Sequence, residues 1–183
     1  DDLTKKTDYK IGIGKFGSGS FNNFFLMAKL YNLNPIKYGT AGTKNGRDIF
    51  YITGDYNTLC NMFIKNQLDG IFIVSGSNNI YIKNVVKETE VKFITIDTDS
   101  NILKPLFGSY YYKDEIDLSN YYSEAINQDL IPTISTRTIL LCHKSIENDV
   151  VYHITSNIFR NHRSNMNVLL NLNKTINDVD DFE

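Results

Sequence analysis

The residues best suited to chemistry in this chain are glycines and serines that lie between an apolar strand and a helix. They occupy the segment Ile11-Gly-Ile-Gly-Lys-Phe-Gly-Ser-Gly-Ser20. Apolar residues with the spacing of one helix face follow it, namely Phe21, Phe24, Phe25 and Ala28. The first N–H groups of a helix lack intrahelical acceptors and carry partial positive charge, so this arrangement can bind an anion. The alternative is an ordinary strand-to-helix turn with a serine N-cap.

Known phosphate-binding motifs fit this loop incompletely. Gly12-Ile-Gly-Lys-Phe-Gly17 matches G-x-G-x-x-G, but the dinucleotide fingerprint also needs an acidic residue about 20 positions later. Residues 32–40 contain none. A P-loop needs a lysine after its last glycine, whereas Ser20 follows Gly19. We therefore predict a small-anion site at Gly17, Ser18, Gly19 and Ser20, and a carboxylate fits it as well as a phosphate does.

The composition is that of an ordinary globular protein. The 183 residues are 42% hydrophobic and 22% charged, with a formal net charge of −2, which gives no support to nucleic-acid binding. No apolar run approaches the roughly 18 residues of a membrane span. Cys60 and Cys142 lack metal-ligand spacing, and both lie in apolar periodic segments. We expect both to be buried free thiols.

Strand and helix patterns alternate over residues 9–97, and this predicts one α/β lobe with a mainly parallel sheet. The predicted strands are 9–13, 49–53, 70–74 and 91–96, with a short extended piece at 35–38. The predicted helices span 18–31, the residues after an N-cap at Asp55, and 78–88. Residues 98–131 have no clear period. We expect a strand at 131–141, a helix capped by Ser145, a last helix at 165–172 and a frayed acidic tail at 177–183.

Three segments, in order, resemble a family of substrate-binding proteins. Gly14-Lys-Phe-Gly-Ser-Gly-Ser20 resembles its G-x-x-G-S-G-T helix start, and Leu68-Asp-Gly-Ile-Phe72 resembles its step into a strand. Ile116-Asp-Leu-Ser-Asn-Tyr121 and Ser145-Ile-Glu-Asn-Asp-Val-Val-Tyr152 resemble its I-P-x-x-x-Y and L-P-E-D-V-V-Y segments. The family is the TAXI branch (TRAP-associated extracytoplasmic immunogenic proteins) of tripartite ATP-independent periplasmic (TRAP) transporters. The chain departs from it at Ser75-Gly-Ser-Asn-Asn79, where the family has histidine-proline, and at Asp117, where it has proline.

The resemblance implies a fold and a domain organisation. The fold is an α/β lobe of the type II periplasmic-binding-protein kind with a C-terminal helical extension. The ligand-binding lobe would span residues 8–118, and a hinge strand with C-terminal helices would span 119–176. Those helices would pack on a first lobe that precedes the glycine loop in the family and is absent here, with Val150, Val151, Ile154 and Ile158 on the packing face. Self-association or a separate first-lobe chain would then cover that face.

The resemblance also implies a function. The chain would be a periplasmic or other extracytoplasmic solute-binding protein that delivers a small carboxylate, such as glutamate or a dicarboxylate, to the membrane subunits of a TRAP transporter. It would need no cofactor and would not be an enzyme. Two alternatives stay open, namely an α/β enzyme that binds a phosphorylated substrate at the glycine loop, and an immunogenic surface protein that keeps the fold without transport.

Two further residues are candidate ligand contacts. Tyr121 matches the cleft tyrosine of the family, and its ring could stack over a ligand. Arg137, which we expect in the middle of a strand, could pair with a ligand carboxylate through two hydrogen bonds or with a carboxylate of the lobe. His143, His153 and His162 do not converge on a metal site, and no catalytic triad can be argued from the sequence.

Overall fold

A computed structural model describes residues 9–42, 47–108, 110–122, 130–137 and 139–160. The chain divides into two compact units, residues 1–137 and 138–183. The predicted helix at 165–172 and the acidic tail lie outside the described residues. The first unit contains the parallel sheet and the glycine loop, so it is the unit that positions the candidate site.

Four parallel strands form the sheet of the first unit in the order β2-β3-β1-β4. The strands are β1 (Lys10–Ile13), β2 (Asn34–Lys37), β3 (Asp48–Thr53) and β4 (Gly70–Phe72). β1 lies between β3 and β4, with Ile11 opposite Tyr51 on one side and Gly70 on the other. The predicted mainly parallel sheet is thereby confirmed.

Three helices follow strands of this sheet. They are α1 (Gly19–Leu30), α2 (Tyr56–Ile64) and α3 (Ile80–Glu88). Their buried residues form the core with Ile13 and comprise Phe24, Met27 and Ala28 of α1, Leu59 and Cys60 of α2, and Val85 of α3. A Cβ at Gly12 would lie 2.8 Å from Leu68 Cδ1 and 3.1 Å from Leu59 Cδ2, so a glycine is needed there for α2 to pack closely on β1.

The prediction of a strand at residues 91–96 is wrong. These residues belong to no strand, although the Ile96 N–H donates to the Pro132 carbonyl at 3.0 Å. Ile94 is 75% exposed, so its side chain is not used in the core. The segment therefore borders the antiparallel pair described next without pairing as a strand.

An antiparallel pair completes the described part of the first unit. It consists of β5 (Tyr111–Asp117) and β6 (Leu130–Thr136), with Tyr111 opposite Thr136 and Asp117 opposite Leu130. β5 was not predicted, because its middle residues Lys113, Asp114 and Glu115 are all exposed and the pattern has no period of two. Short 3₁₀ turns lie at Lys104–Leu106 and Leu118–Asn120.

The second unit contains α4 (Asn148–Arg160). The strand predicted at 131–141 ends at Thr136, and the helix begins three residues after Ser145. Ser145 is therefore not the N-cap. Its hydroxyl instead lies 2.7 Å from His143 Nδ1, and its N–H donates to the same nitrogen at 3.2 Å. The exposed Cys142 in this unit also corrects the expectation that both thiols are buried.

Candidate functional site

The glycine loop turns sharply from β1 into α1 and is fixed by Ser18. The Ser18 hydroxyl accepts a hydrogen bond from the Phe21 N–H at 3.2 Å, so Ser18 is the N-cap of α1. The Ser18 N–H donates to the Lys15 carbonyl at 3.0 Å. Gly17 has a φ of +78°, a left-handed conformation that favours glycine. The predicted strand–loop–helix arrangement is thus present.

The loop is tightly packed on one side and open on the other. A Cβ at Gly14 would lie 2.5 Å from Ser18 Oγ and 3.0 Å from Ser20 Cβ, whereas a Cβ at Gly17 or Gly19 would meet no atom within 4 Å. A glycine at position 14 therefore allows Ser18 and Ser20 to pack closely against the backbone, and Gly17 and Gly19 leave the helix start accessible. Among the hydrogen bonds of the described residues, none uses the N–H of Gly19 or Ser20 as a donor, as expected for a first helical turn.

Ser20 is buried and its hydroxyl is fully hydrogen-bonded. The whole residue is 1% exposed, and its Oγ accepts from the Val74 N–H at 2.7 Å. The Tyr56 hydroxyl lies 2.6 Å from the same Oγ and donates to the Val74 carbonyl at 3.0 Å. Because a tyrosine hydroxyl has one proton, the Ser20 hydroxyl donates to Tyr56, and the three residues form a closed ring of hydrogen bonds. The Ser20 hydroxyl is therefore not available to a ligand.

This ring lies where three parallel strands end. β1 leads into the glycine loop, β3 leads through Gly54 and Asp55 into α2, and β4 leads into the segment 73–79 before α3. Ligands of open α/β sheets bind at this carboxyl edge, because loops and helix N-termini converge there. The glycine loop follows the strand that lies between the other two.

Asp55 adds a negative charge near the loop, and this charge is compensated locally. Its carboxylate accepts hydrogen bonds from the Thr58 N–H and the Thr58 hydroxyl, both at 2.8 Å, and caps α2 as predicted. The hydrogen bond from the Thr58 backbone is the main reason why the pKa of Asp55 is lowered, and the positive charge of Lys15 contributes in the same direction. Lys15 therefore partly neutralises Asp55 on the loop side.

Tyr121 is brought to the same edge of the sheet. Burial raises its pKa, whereas hydrogen bonds from the backbone of Asn79 and Asn78 oppose that change. Asn79 is the N-cap of α3 and follows the segment that Val74 begins. The Phe93 ring packs against Tyr121 with centroids 5.6 Å apart. The Tyr121 ring thus packs against Phe93 within the lobe, beside the segment that also contacts Ser20.

Arg137 is not in the middle of a strand, because β6 ends at Thr136. Its guanidinium lies 4.3 Å from the centroid of the Tyr112 ring, which is a cation–π contact. No hydrogen bond or ion pair among the described residues joins Arg137 to the glycine loop. The structure thus brings Tyr121 to the edge where the glycine loop lies, and it places Arg137 at the end of β6 against Tyr112.

Two residues at the site were missed by sequence reasoning. Tyr56 follows an N-cap in a polar stretch, and only its position at the first turn of α2 could have marked it. Phe16 lies at the tip of the glycine loop, is 85% exposed and touches Phe21 with ring centroids 5.0 Å apart. Its aromatic type offers an apolar surface next to the open helix start.

The described residues provide no group of three or more histidine, cysteine or acidic side chains that could hold a metal ion. No helix among them is long and apolar enough to cross a membrane. The site therefore consists of backbone N–H groups, the Ser18 hydroxyl and nearby aromatic rings. This arrangement is suited to hold an anionic solute.

The first unit is an α/β lobe with a parallel four-stranded sheet. The NMT1-like family matches residues 2–180, so the chain belongs to this family, which is of periplasmic solute-binding type. No curated protein gives a significant match to the chain. The family agrees with the coarse prediction of a binding protein.

Proposed function

We propose that this chain is an extracytoplasmic solute-binding protein that holds a small carboxylate at the N-terminus of α1. The observation that carries this proposal is the N–H group of Gly19, which has no acceptor among the described residues and lies where the loop is open at both Gly17 and Gly19. A carboxylate there would accept this hydrogen bond and would be stabilised by the helix dipole. The Ser18 hydroxyl, which accepts from Phe21, keeps its own proton for the ligand.

Ligands of the proposed class are glutamate and small dicarboxylates, which the protein would deliver to the membrane subunits of a TRAP-type transporter. Membership of a solute-binding family supports capture of a solute, and the resemblance of the glycine loop to the TAXI branch supports the transporter type. Tyr121 would border the bound ligand at the carboxyl edge of the sheet. Arg137, which directly follows β6, is the other candidate ligand contact.

Exposed apolar residues on α4 of the second unit support a partner surface as part of this function. On α4, Val150, Ile154 and Ile158 are 46%, 48% and 49% exposed. Burying such side chains is worth roughly 1.5–3 kcal/mol each, so a partner surface that covers them would be favoured. We propose that a first-lobe chain or a second copy provides it. Sedimentation at low micromolar concentration should show an assembly, and a monomer with full ligand affinity would contradict this part of the proposal.

The test of the function is calorimetry with L-glutamate, succinate and inorganic phosphate as titrants. We expect a carboxylate to bind, and replacement of Ser18 by alanine should weaken it at least about tenfold, because a hydrogen bond to a charged ligand is worth about 1.5–3 kcal/mol. Ser75→Ala is the matched control, since the Ser75 hydroxyl is exposed and donates only to the Gly76 carbonyl. Unchanged affinity in Ser18→Ala would contradict the site.

The same titration separates the proposal from an enzyme that uses a phosphorylated substrate. Preference for phosphate over both carboxylates would contradict carboxylate capture. Turnover of a nucleotide or ester that is lost with Ser18→Ala would contradict a binding protein.

A further inference from the structure

The helix α4 exposes its apolar residues more than a polar neighbour on the same helix. Val150, Ile154 and Ile158 are 46%, 48% and 49% exposed, whereas the polar Thr155 is partly buried. A helix normally turns its apolar stripe towards a core and its polar residues towards solvent. In the described part of α4, residues 148–158, no residue is fully buried. The apolar stripe, defined as Val150, Ile154 and Ile158, is therefore a surface that a partner can cover.

The length of α4 makes such a partner important for its stability. The helix has 13 residues, and an isolated helix of this length is only marginally stable in water. In proteins, most of the stability of such a helix comes from packing of its apolar face. Burial of the apolar stripe would therefore stabilise α4 as a helix.

The apolar stripe is symmetric about Ile154. Val150 lies four residues before Ile154 and Ile158 lies four residues after it, so a β-branched side chain occupies each end. Two antiparallel copies of α4 that meet at Ile154 would place Val150 of each copy opposite Ile158 of the other. A two-fold interface requires a surface that is complementary to itself in this way, because both chains contribute the same residues.

The charges at the two ends of α4 favour the same antiparallel arrangement. Glu147 is exposed just before the helix and Asp149 lies in its first turn, whereas Arg160 is the last residue of the helix. With Ile154 at the centre, the acidic end of one copy lies level with Arg160 of the other copy, and the opposite charges attract. A parallel pair would bring like charges together at both ends.

We propose that α4 forms the interface between two copies of this chain, which pair antiparallel about a two-fold axis at Ile154. This inference rests on the partner surface in the proposed function and assigns a second copy to it. The exposure of the apolar stripe, its symmetry and the order of the charges along α4 all fit a copy of the same helix. Capture of a carboxylate by the first unit is a separate claim with its own measurement.

Disulfide cross-linking of the full chain tests the geometry, in a Cys142→Ser background that removes the exposed native thiol. Ile154→Cys should give a cross-linked dimer at low micromolar concentration, because residue 154 meets itself at the axis. Tyr152→Cys is the matched control, since Tyr152 is 61% exposed and lies on the opposite side of the helix, so random collisions would link it at least as fast. Ile154→Cys should therefore cross-link at least about tenfold faster than Tyr152→Cys, because pairing raises the effective concentration of the two thiols. Equal rates would overturn the inference.

Sedimentation of charge variants tests the arrangement without a new cysteine, so it also applies if Ile154→Cys does not fold. Glu147→Lys and Arg160→Glu should each raise the dissociation constant of the dimer by about threefold or more, because each variant places like charges at both ends of the interface. An equimolar mixture of the two variants should associate as tightly as the unmodified protein, since each chain then offers the charge that the other needs. A mixture that associates no more tightly than either variant alone would overturn the inference.

The unmodified protein separates this inference from carboxylate capture. A monomer at low micromolar concentration that still binds L-glutamate or succinate would overturn the two-fold interface and leave capture intact. A dimer that cross-links at residue 154 but binds neither carboxylate would overturn capture and leave the interface intact.

Discussion

The Tyr111 hydroxyl donates to Asn23 Oδ1 at 2.7 Å and so joins the antiparallel pair to α1 across 88 residues of sequence. The same Asn23 side chain donates through Nδ2 to the Gly19 carbonyl at 2.8 Å. β5 is thereby connected through one amide group to the first turn of the helix at which we place the ligand. The antiparallel pair thus supports the candidate site although it lies outside the parallel sheet.

Replacement of Tyr111 by phenylalanine should lower the free energy of unfolding by about 0.5–1.5 kcal/mol, the net value of one hydrogen bond. Tyr110→Phe is the matched control, because Tyr110 is 72% exposed and its change should lie within about 0.5 kcal/mol of zero. Urea unfolding measures both values. Equal stability of the two variants would mean that the link between β5 and α1 contributes nothing.

Substitutions of two loop glycines should distinguish an effect on stability from an effect on ligand binding. Gly14→Ala should destabilise the protein by about 1–3 kcal/mol, because the new methyl group would lie 2.5 Å from Ser18 Oγ. Gly19→Ala meets open space and should leave stability equal or raise it by up to about 1 kcal/mol, since alanine favours a helix. Because its methyl group would stand where the ligand approaches, Gly19→Ala should still weaken carboxylate binding. If Gly19→Ala binds normally, the ligand does not approach from that side.

The capping carboxylate of Asp55 should make stability depend on acid pH. Its pKa is lowered in the folded protein, chiefly by the Thr58 backbone hydrogen bond, so the folded state binds its proton less readily than the unfolded state. The stabilisation is therefore complete above the unfolded value of about 3.9 and is lost as the pH falls through the lower folded value. Asp55→Asn keeps an N-cap, so the free energy of unfolding of this variant should fall less at acid pH than that of the unmodified protein. Urea unfolding at a series of values from about pH 6 to about pH 2 measures this. Thr58→Ala should reduce the acid-dependent loss of stability only in part. If both variants lose stability with falling pH as the unmodified protein does, Asp55 is not its source.

The two cysteines should react at very different rates. Burial raises the pKa of the Cys60 thiol to about 11, whereas Cys142 is exposed. The thiolate is the reactive form, so a thiol reagent near neutral pH should label Cys142 rapidly and Cys60 only after unfolding. Cys142→Ser should abolish the rapid phase. Two rapid phases in the native protein would show that Cys60 is accessible.

Local signals in the sequence predicted most of the parallel lobe. Ser18 and Asp55 are N-caps because a short polar side chain before an apolar helical pattern satisfies free N–H groups, and this requires only neighbouring residues. The strand at 91–96 was wrongly predicted, because a run of apolar residues does not show whether a segment pairs with a neighbouring strand. β5 was missed because its exposed charged centre hides the alternation.

The candidate site was predicted in part. The glycine loop could be found because the residue types and the order of strand, loop and helix occur together within ten residues. The burial of Ser20 could not, since it depends on Tyr56 and Val74, which only the folded sheet brings together. Arg137 was predicted from its residue type and from an expected position in the middle of a strand, whereas β6 ends one residue before it and its guanidinium lies over the Tyr112 ring.

The most direct test of carboxylate binding at α1 is a backbone amide NMR titration of the isotope-labelled protein with L-glutamate and with succinate. If the Gly19 N–H and the Ser18 hydroxyl hold the ligand, the amide resonances of Gly17 to Ser20 should show the largest shifts, and those of the equivalent first turn of α2 at Tyr56 and Asn57 should shift less. Saturable shifts confined to another part of the lobe, or no saturable shift with either carboxylate, would contradict the account.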